Sequence, residues 1–261
     1  VLSAMGAQCC PLPTAYLSAH TAFPELGKAA FLDLTRELEQ TQEHWAALGV
    51  ALDAVYSGFI GSAGQIAAIR RFYERFRGAD TVVLCDPVMG DTDTGVFVRP
   101  DIPQFMKEHF LNGLADMTKP NQFELELLSG RKMRSRQETV DTARELFTDK
   151  GCRVTFVTSL LTPDVPEDTV ETLAITKDDA WVVRTPLVER KPTPNGQGDT
   201  FSSVALGTYL KTKSAKDALE AAVNTLYGLV SHMDSGALDL PLIDEQRQIL
   251  SPEHRFEAVL C

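Results

Sequence analysis

The sequence predicts an α/β fold, a mostly parallel sheet with helices on both faces and an antiparallel hairpin at its edge. Three observations predict it. Short apolar runs rich in Val, Ile and Phe alternate with stretches of helical periodicity, a pattern that only a layered parallel sheet buries well. Capping-box spacing marks helix starts, with Asn121 followed by Glu124 and Ser135 by Glu138. The stretch ETLAITKDDAWVVRTPLV sets two alternating runs around Lys177, Asp178 and Asp179, a hairpin signature. With 261 residues, 44% of them apolar, the chain can bury the core of a single large domain, and no linker, repeat or low-complexity tract divides it.

In chain order, VLSAMG reads as the tail of an amphipathic helix closed by Gly6, so a preceding segment is expected. Residues 7–17, AQCCPLPTAYL, read as a strand and its exit, and residues 18–27 as a loop punctuated by Pro and Gly. A polar helix is expected over 34–48, then a buried strand in DAVYSGFIGS that ends in a glycine-bearing turn. GQIAAIRRFYERF is a helix and TVVLC a strand; NQFELELLSG and residues 135–150 are helices, and RVTFVTS is a strand. After the hairpin, helices are expected over about 200–210, 215–231 and 242–250.

A net charge of −11 argues against a nucleic-acid or anionic membrane surface, both of which would repel the chain. No apolar run is long enough to span a bilayer and no basic-then-apolar leader opens the sequence, so a soluble cytoplasmic protein is expected. The five cysteines form no metal-spaced or C-x-x-C pattern. Reduced thiols follow, with the adjacent Cys9 and Cys10 read as small apolar fillers.

Ligands of α/β sheets bind at the carboxyl ends of the strands. Four segments there combine Gly or Pro with polar residues: SGFIGS (57–62), DPVMGD (86–91), KPNQFE (119–124) and NGQGDT (195–200). In the last, Gly196 and Gly198 leave backbone amides uncovered at the mouth of a helix, where the dipole favours an anion. Asp199 is either the N-cap of that helix or a general base beside an anion hole, and the residues alone leave both open. Asp86 and Asp91 suit a hard cation such as Mg²⁺, or else an Asx turn and a solvated carboxylate. Asn121 and Glu124 form a cap pair whose carboxylate can also reach metal-bound water.

In this order and spacing, CDPVMGD, KPNQFELELLSG and NGQGDTFSS resemble the pyridoxal kinases of the ribokinase-like superfamily, and SGFIGS with AYLSAHTAF resembles their vitamer-binding strand end and loop. The resemblance implies a three-layer α/β/α fold and ATP-dependent phosphorylation of the 5′-hydroxymethyl group of pyridoxal, pyridoxine or pyridoxamine. It matches Asp199 to the base and the amides of Gly196, Gln197, Gly198 and Asp199 to the anion hole. Asp86, Lys119, Asn121 and Glu124 fall near ATP phosphates and Mg²⁺, with Asp91 as a further metal candidate. Thr158 matches a nucleotide contact, and Thr185, Pro186, Leu187 and Val188 the adenine side. Thr21, Ala22 and Phe59 match the vitamer pocket, and a homodimer is the family's usual assembly.

Two departures stand out. Relatives begin with a further strand and most of a helix ahead of the stretch matching Gly6. Lys119 also occupies a position where these kinases usually carry Thr or another small residue; its ammonium is expected to contact ATP phosphates and displace the K⁺ that relatives hold. The competing readings are a hydroxymethylpyrimidine kinase, many of which carry Cys where this chain has Asp199, a sugar or nucleoside kinase, and a non-catalytic vitamer-binding protein.

Overall fold

The computed structural model describes residues 1–18, 30–110, 113–191 and 193–261. The opening residues form a helical turn that ends as its sequence predicts. Gly6 has φ +92°, its N–H donates to Ser3 O, and the Ala7 N–H donates to Leu2 O. Strand β1 (Ala15–Leu17) pairs antiparallel with β2 (Phe31–Asp33) in a ribbon outside the main sheet. The strand expected over residues 7–17 is thus only its last three residues, since Pro11 and Pro13 remove ladder donors from the rest. Cys9 and Cys10 are exposed there, not core fillers; all five thiols are free.

Helix α1 (Thr35–Ala47), strand β3 (Ala54–Ser57), helix α2 (Ala63–Phe76) and strand β4 (Val82–Cys85) continue the chain. Ile66, Ile69, Phe72, Tyr73 and Phe76 recur at helical spacing and bury one face of α2. A small flap, β5 (Gly90–Asp91) and β6 (Gly95–Val96), precedes α3 (Ile102–Phe110), β7 (Met117–Thr118) and α4 (Gln122–Ser129). Then come α5 (Arg136–Leu146), β8 (Val154–Leu160), β9 (Thr169–Ile175), β10 (Ala180–Pro186), α6 (Gln197–Thr212), α7 (Ala215–Ser231), α8 (Arg247–Leu250) and β11 (Val259–Leu260).

The main sheet has the order β11-β10-β9-β8-β7-β4-β3. Its β3, β4, β7 and β8 run parallel, whereas β8–β9, β9–β10 and β10–β11 pair antiparallel. The sheet is therefore mixed, and the expected hairpin β9–β10 lies one strand in from an edge formed by β11. Successive β4 side chains enter different cores. Val83 and Cys85 join Ile66, Phe72, Leu125 and Val140 on one face; Val82 and Leu84 join Phe201, Val204, Leu219 and Ala222 on the other. Two cores flanking one sheet make the three-layer α/β/α arrangement. At about 1.5–3 kcal/mol per fully buried Val or Leu side chain, β4 is firmly anchored, and the residue at its end is held with it.

Other boundaries also shift. Helix α5 stops at Leu146, and a separate 3₁₀ turn, Thr148–Lys150, finishes the expected stretch. Ser135 caps α5 by accepting the Glu138 N–H, but the Glu138 carboxylate takes the Arg134 N–H and does not close a box. Over 242–250 only Arg247–Leu250 is helical. Helix α6 starts three residues earlier than expected, which moves the N-cap from Asp199 to Gly196.

Candidate active site

Parallel β3, β4 and β7 bring their carboxyl ends together, and the four loops singled out by sequence meet there. Gly196 is the N-cap of α6, with φ +81° and no side chain to satisfy the helix amides. The Thr200 N–H bonds Gly196 O, so the amides of Gln197, Gly198 and Asp199 have no acceptor within the helix. Beneath them lies a buried cation: a Cβ placed on Gly198 would sit 3.4 Å from Lys119 Nζ and 3.6 Å from Asp86 Oδ2. Helix dipole and ammonium thus converge on one spot, a strong anion site. Asp199 lies inside the first turn of α6 and is not its cap; its Oδ1 accepts a 2.8 Å hydrogen bond from the Tyr56 hydroxyl.

Asp86 follows β4 and is fully buried. Its Oδ2 accepts from Ser202 Oγ at 3.0 Å and pairs with Lys119 Nζ at 3.2 Å, while Oδ1 is buried with no hydrogen-bond partner among the described residues. Asn121 and Glu124 form the predicted capping box, and the second Glu124 oxygen takes the Met89 N–H at 2.8 Å. Asn121 Nδ2 donates to Gly90 O at 2.9 Å and lies 3.4 Å from Asp91 Oδ2, fastening the β5–β6 flap to α4. Burial pushes the Glu124 carboxyl up to about 8, with Lys119 opposing and Asp86 adding to the rise. Asp86 is likewise raised by burial, opposed by Lys119 and reinforced by Asp199. Burial works against the charge on Lys119, but Asp86 and Glu124 hold its pKa above the usual lysine value. Three carboxyls thus surround one ammonium, and burial favours the neutral form of two of them, Glu124 and Asp86.

The family model described as phosphomethylpyrimidine kinase matches residues 2–239. Pyridoxal kinase PdxY of Deinococcus radiodurans is 39% identical over 79% of this chain and 71% of its own length. That of Leifsonia xyli is 35% identical over 98% of this chain and 90% of its own. The chain belongs to the pyridoxal kinase family. The two names meet in a Bacteroides thetaiotaomicron protein, named as a phosphomethylpyrimidine kinase and solved with pyridoxal, which superposes with a TM-score of 0.87 at 30% identity, covering all of this chain and 91% of that one. The pyridoxal kinase of Entamoeba histolytica, at 20% identity and a TM-score of 0.87 over 100% of this chain and 91% of its own, shows the shared fold.

In this member of the pyridoxal kinases, Asp86, Lys119, Glu124, Gly198 and Asp199 come together, and Asn121 joins them through Glu124. Asp91 lies on the flap, accepting the Thr92 N–H and meeting Asn121 Nδ2 at 3.4 Å, and among the described residues no three His, Cys, Asp or Glu side chains are grouped to hold a metal. The Thr158 N–H bonds Pro120 O at 3.2 Å, joining the end of β8 to the Lys119 loop. Next to it Ser159 has φ +55° at a bulge in the β8–β9 pairing. Thr185, paired with Val170, and Pro186 end β10 on that same side. Leu187 is partly exposed there, its N–H on Asp168 O, while Val188 packs on the cluster of Leu229, Met233 and Leu240.

Phe59 is half-buried just after β3, whereas Thr21 and Ala22 lie outside the described residues. The ribbon docks on the same strand end: Asp33 Oδ2 accepts from Ser62 Oγ at 2.6 Å, and Gln65 Nε2 donates to Thr14 O at 2.7 Å. Against the cost of its slight burial, hydrogen bonds from Ser62 and Thr35 hold the Asp33 carboxyl at about 2. A Cβ at Gly61 would meet the exposed Phe31 ring at 2.9 Å, so any larger residue there displaces that ring. Sequence reasoning missed Tyr56, Ser202 and Asp33. The available signal was a polar-tipped Tyr in an apolar strand and a Ser three residues after Asp199, on the same helix face.

Proposed function

We propose that this chain transfers the γ-phosphoryl group of ATP to the 5′-hydroxymethyl group of pyridoxal, pyridoxine or pyridoxamine. The observation that carries it is the uncapped start of α6, its free amides over Lys119 and with Asp199 in its first turn. Asp199 takes the proton of the attacking hydroxyl, a contribution of about 10²- to 10⁴-fold. The amides of Gln197, Gly198 and Asp199, at the mouth set by Gly196, take up charge on the transferred group together with Lys119. Positioning and charge stabilisation supply most of the acceleration in such transfers.

Mg²⁺ fits the residues present: Asp86 Oδ1 is a hard oxygen donor with no hydrogen-bond partner among the described residues. Asp86 would hold the ion, with Glu124 and Asp91 reaching its water shell. The bound ion neutralises charge on the ATP phosphates. Asn121 supports the phosphate loop; Thr158, Thr185, Pro186, Leu187 and Val188 form the nucleotide side, and Thr21, Ala22 and Phe59 the vitamer side. Lys119 supplies the charge that relatives take from K⁺. The whole chain acts as one kinase domain, and we take the working form to be a cytoplasmic homodimer. No described helix is long and apolar enough to cross a membrane.

The name of the matching family model favours a second substrate, hydroxymethylpyrimidine. Incubating the full-length protein with Mg-ATP and each B6 vitamer or hydroxymethylpyrimidine, and following the phosphate ester formed, separates the two. Pyridoxal is expected to turn over, and Asp199→Asn to lose about 10²- to 10⁴-fold while still binding ATP. Turnover of the pyrimidine alone would overturn the vitamer reading, and undiminished turnover by the variant would remove Asp199 as the base.

A further inference from the structure

The Tyr56 hydroxyl is the described partner of the Asp199 carboxylate, and nothing in the reaction scheme above uses it. Tyr56 lies in β3, pointing from the strand toward the first turn of α6, where its hydroxyl donates to Asp199 Oδ1 at 2.8 Å. Ser202, one turn further along the same face of α6, donates its hydroxyl proton to Asp86 Oδ2 at 3.0 Å. Two carboxylates beside the anion site thus each hold a hydroxyl donor, Tyr56 on Asp199 and Ser202 on Asp86, with Lys119 on the same Asp86 oxygen.

Gly58 marks how close the next loop comes to the Tyr56–Asp199 pair. It lies beside this pair in the loop after β3, where a Cβ would stand 3.4 Å from Asp199 Oδ1 and 3.5 Å from the Tyr56 hydroxyl. One carboxylate oxygen is thus held by a fixed donor on a strand anchored in the sheet. A carboxylate on an Asp rotates about χ2 with a broad, shallow preference, so an external donor is needed to choose its plane. Burial, with the charges of Asp86 and Asp199 added, raises the Tyr56 phenol well above its usual range, so it stays a proton donor throughout the working pH range.

We propose that Tyr56 is a positioning residue that fixes the plane of the Asp199 carboxylate, holding Oδ1 so that Oδ2 is presented to the substrate hydroxyl. The inference rests on the reading of Asp199 as base. It makes the rate-determining geometry depend on a strand residue as well as on the α6 loop, and it differs from a binding role, since the Tyr56 hydroxyl gives its proton to the base.

The test is Tyr56→Phe, which removes one oxygen and keeps the ring that packs in the sheet. A hydrogen bond to an ionised group lost from a preorganised base predicts a fall in kcat of about tenfold or more. The KM values for ATP and for pyridoxal are expected to stay within about twofold, the signature of an interaction that matters in the transition state. The thermal midpoint, measured on the same samples, reports folding separately. In an Asp199→Asn background, followed at high enzyme concentration, the same Tyr56→Phe change is expected to add less than about twofold, because coupled residues are not additive.

Unchanged kcat in Tyr56→Phe would overturn the inference, as would a loss confined to the KM for pyridoxal or an undiminished additive loss in the Asp199→Asn background. Failure of the underlying reading looks different: Asp199→Asn itself would then turn over like the parent protein, whatever Tyr56→Phe does.

Discussion

Replacing Lys119 with methionine keeps the length of the stem and removes the ammonium from the centre of the site. Lys119 is 5% exposed and Asp86 not exposed at all, with Nζ 3.2 Å from Oδ2. Taking one partner from a buried pair leaves the other charge uncompensated, at a cost of about 3–5 kcal/mol. The Asp86 oxygens keep only the Ser202 hydroxyl, and Oδ1 has no described donor to fall back on. At about 2–4 °C per kcal/mol for a chain of this size, the midpoint should fall by roughly 10 °C.

The loss should also depend on pH in a definite direction. Burial already raises the Asp86 carboxyl, and Lys119 is what opposes the rise, so the variant raises it further. A carboxyl whose folded pKa exceeds its unfolded value contributes stability that is complete below the unfolded pKa and lost as pH rises through the folded one. The penalty should therefore be smaller at about pH 5 than at about pH 8.5, since a raised Asp86 carboxyl loses its stabilising proton as the pH rises. Urea unfolding of the parent and variant at both pH values measures this, and adding Asp86→Asn to Lys119→Met should restore most of the loss at the higher pH. A penalty below about 1 kcal/mol, or one equal at both pH values, would refute the buried pair as the source of the cost.

Gly90→Ala should destabilise by about 1–3 kcal/mol through overpacking, because a Cβ there would lie 2.6 Å from both Gly95 O and the Phe123 ring; an unchanged thermal midpoint would show that the flap yields freely. Asn121→Ala removes the α4 cap and should cost about 1 kcal/mol, with faster hydrogen exchange at the Glu124 amide, which loses its acceptor. Replacing K⁺ with tetramethylammonium should change turnover by no more than about twofold if Lys119 already supplies the charge; a strict K⁺ requirement would refute that role.

The alternation of strands and helices was legible because each element advertises its period locally: the buried run VVLC, the helical spacing of Ile66, Ile69 and Phe72, and the Asn121–Glu124 box all appear where expected. Elements of two residues, such as β7 and β11, carry no period and become strands only because a neighbour supplies hydrogen bonds. The Pro-bearing stretch of residues 7–14 failed as a strand for the opposite reason, since local apolar character finds no ladder there.

By itself the sequence determined the layered α/β class, the four loops that gather at one sheet end, and the family to which their motifs belong, since each rests on residues adjacent in the chain. Whether Asp199 caps its helix or stands beside an anion site was decided only by tertiary structure. Gly196 takes the cap position, and Tyr56, 143 residues away in the chain, supplies the donor that Asp199 accepts. Lys119 likewise became the floor of the site through its burial against Asp86. A side chain's charge is written in its identity, but the partners that give that charge a role come from distant segments, and folding alone sets their distances.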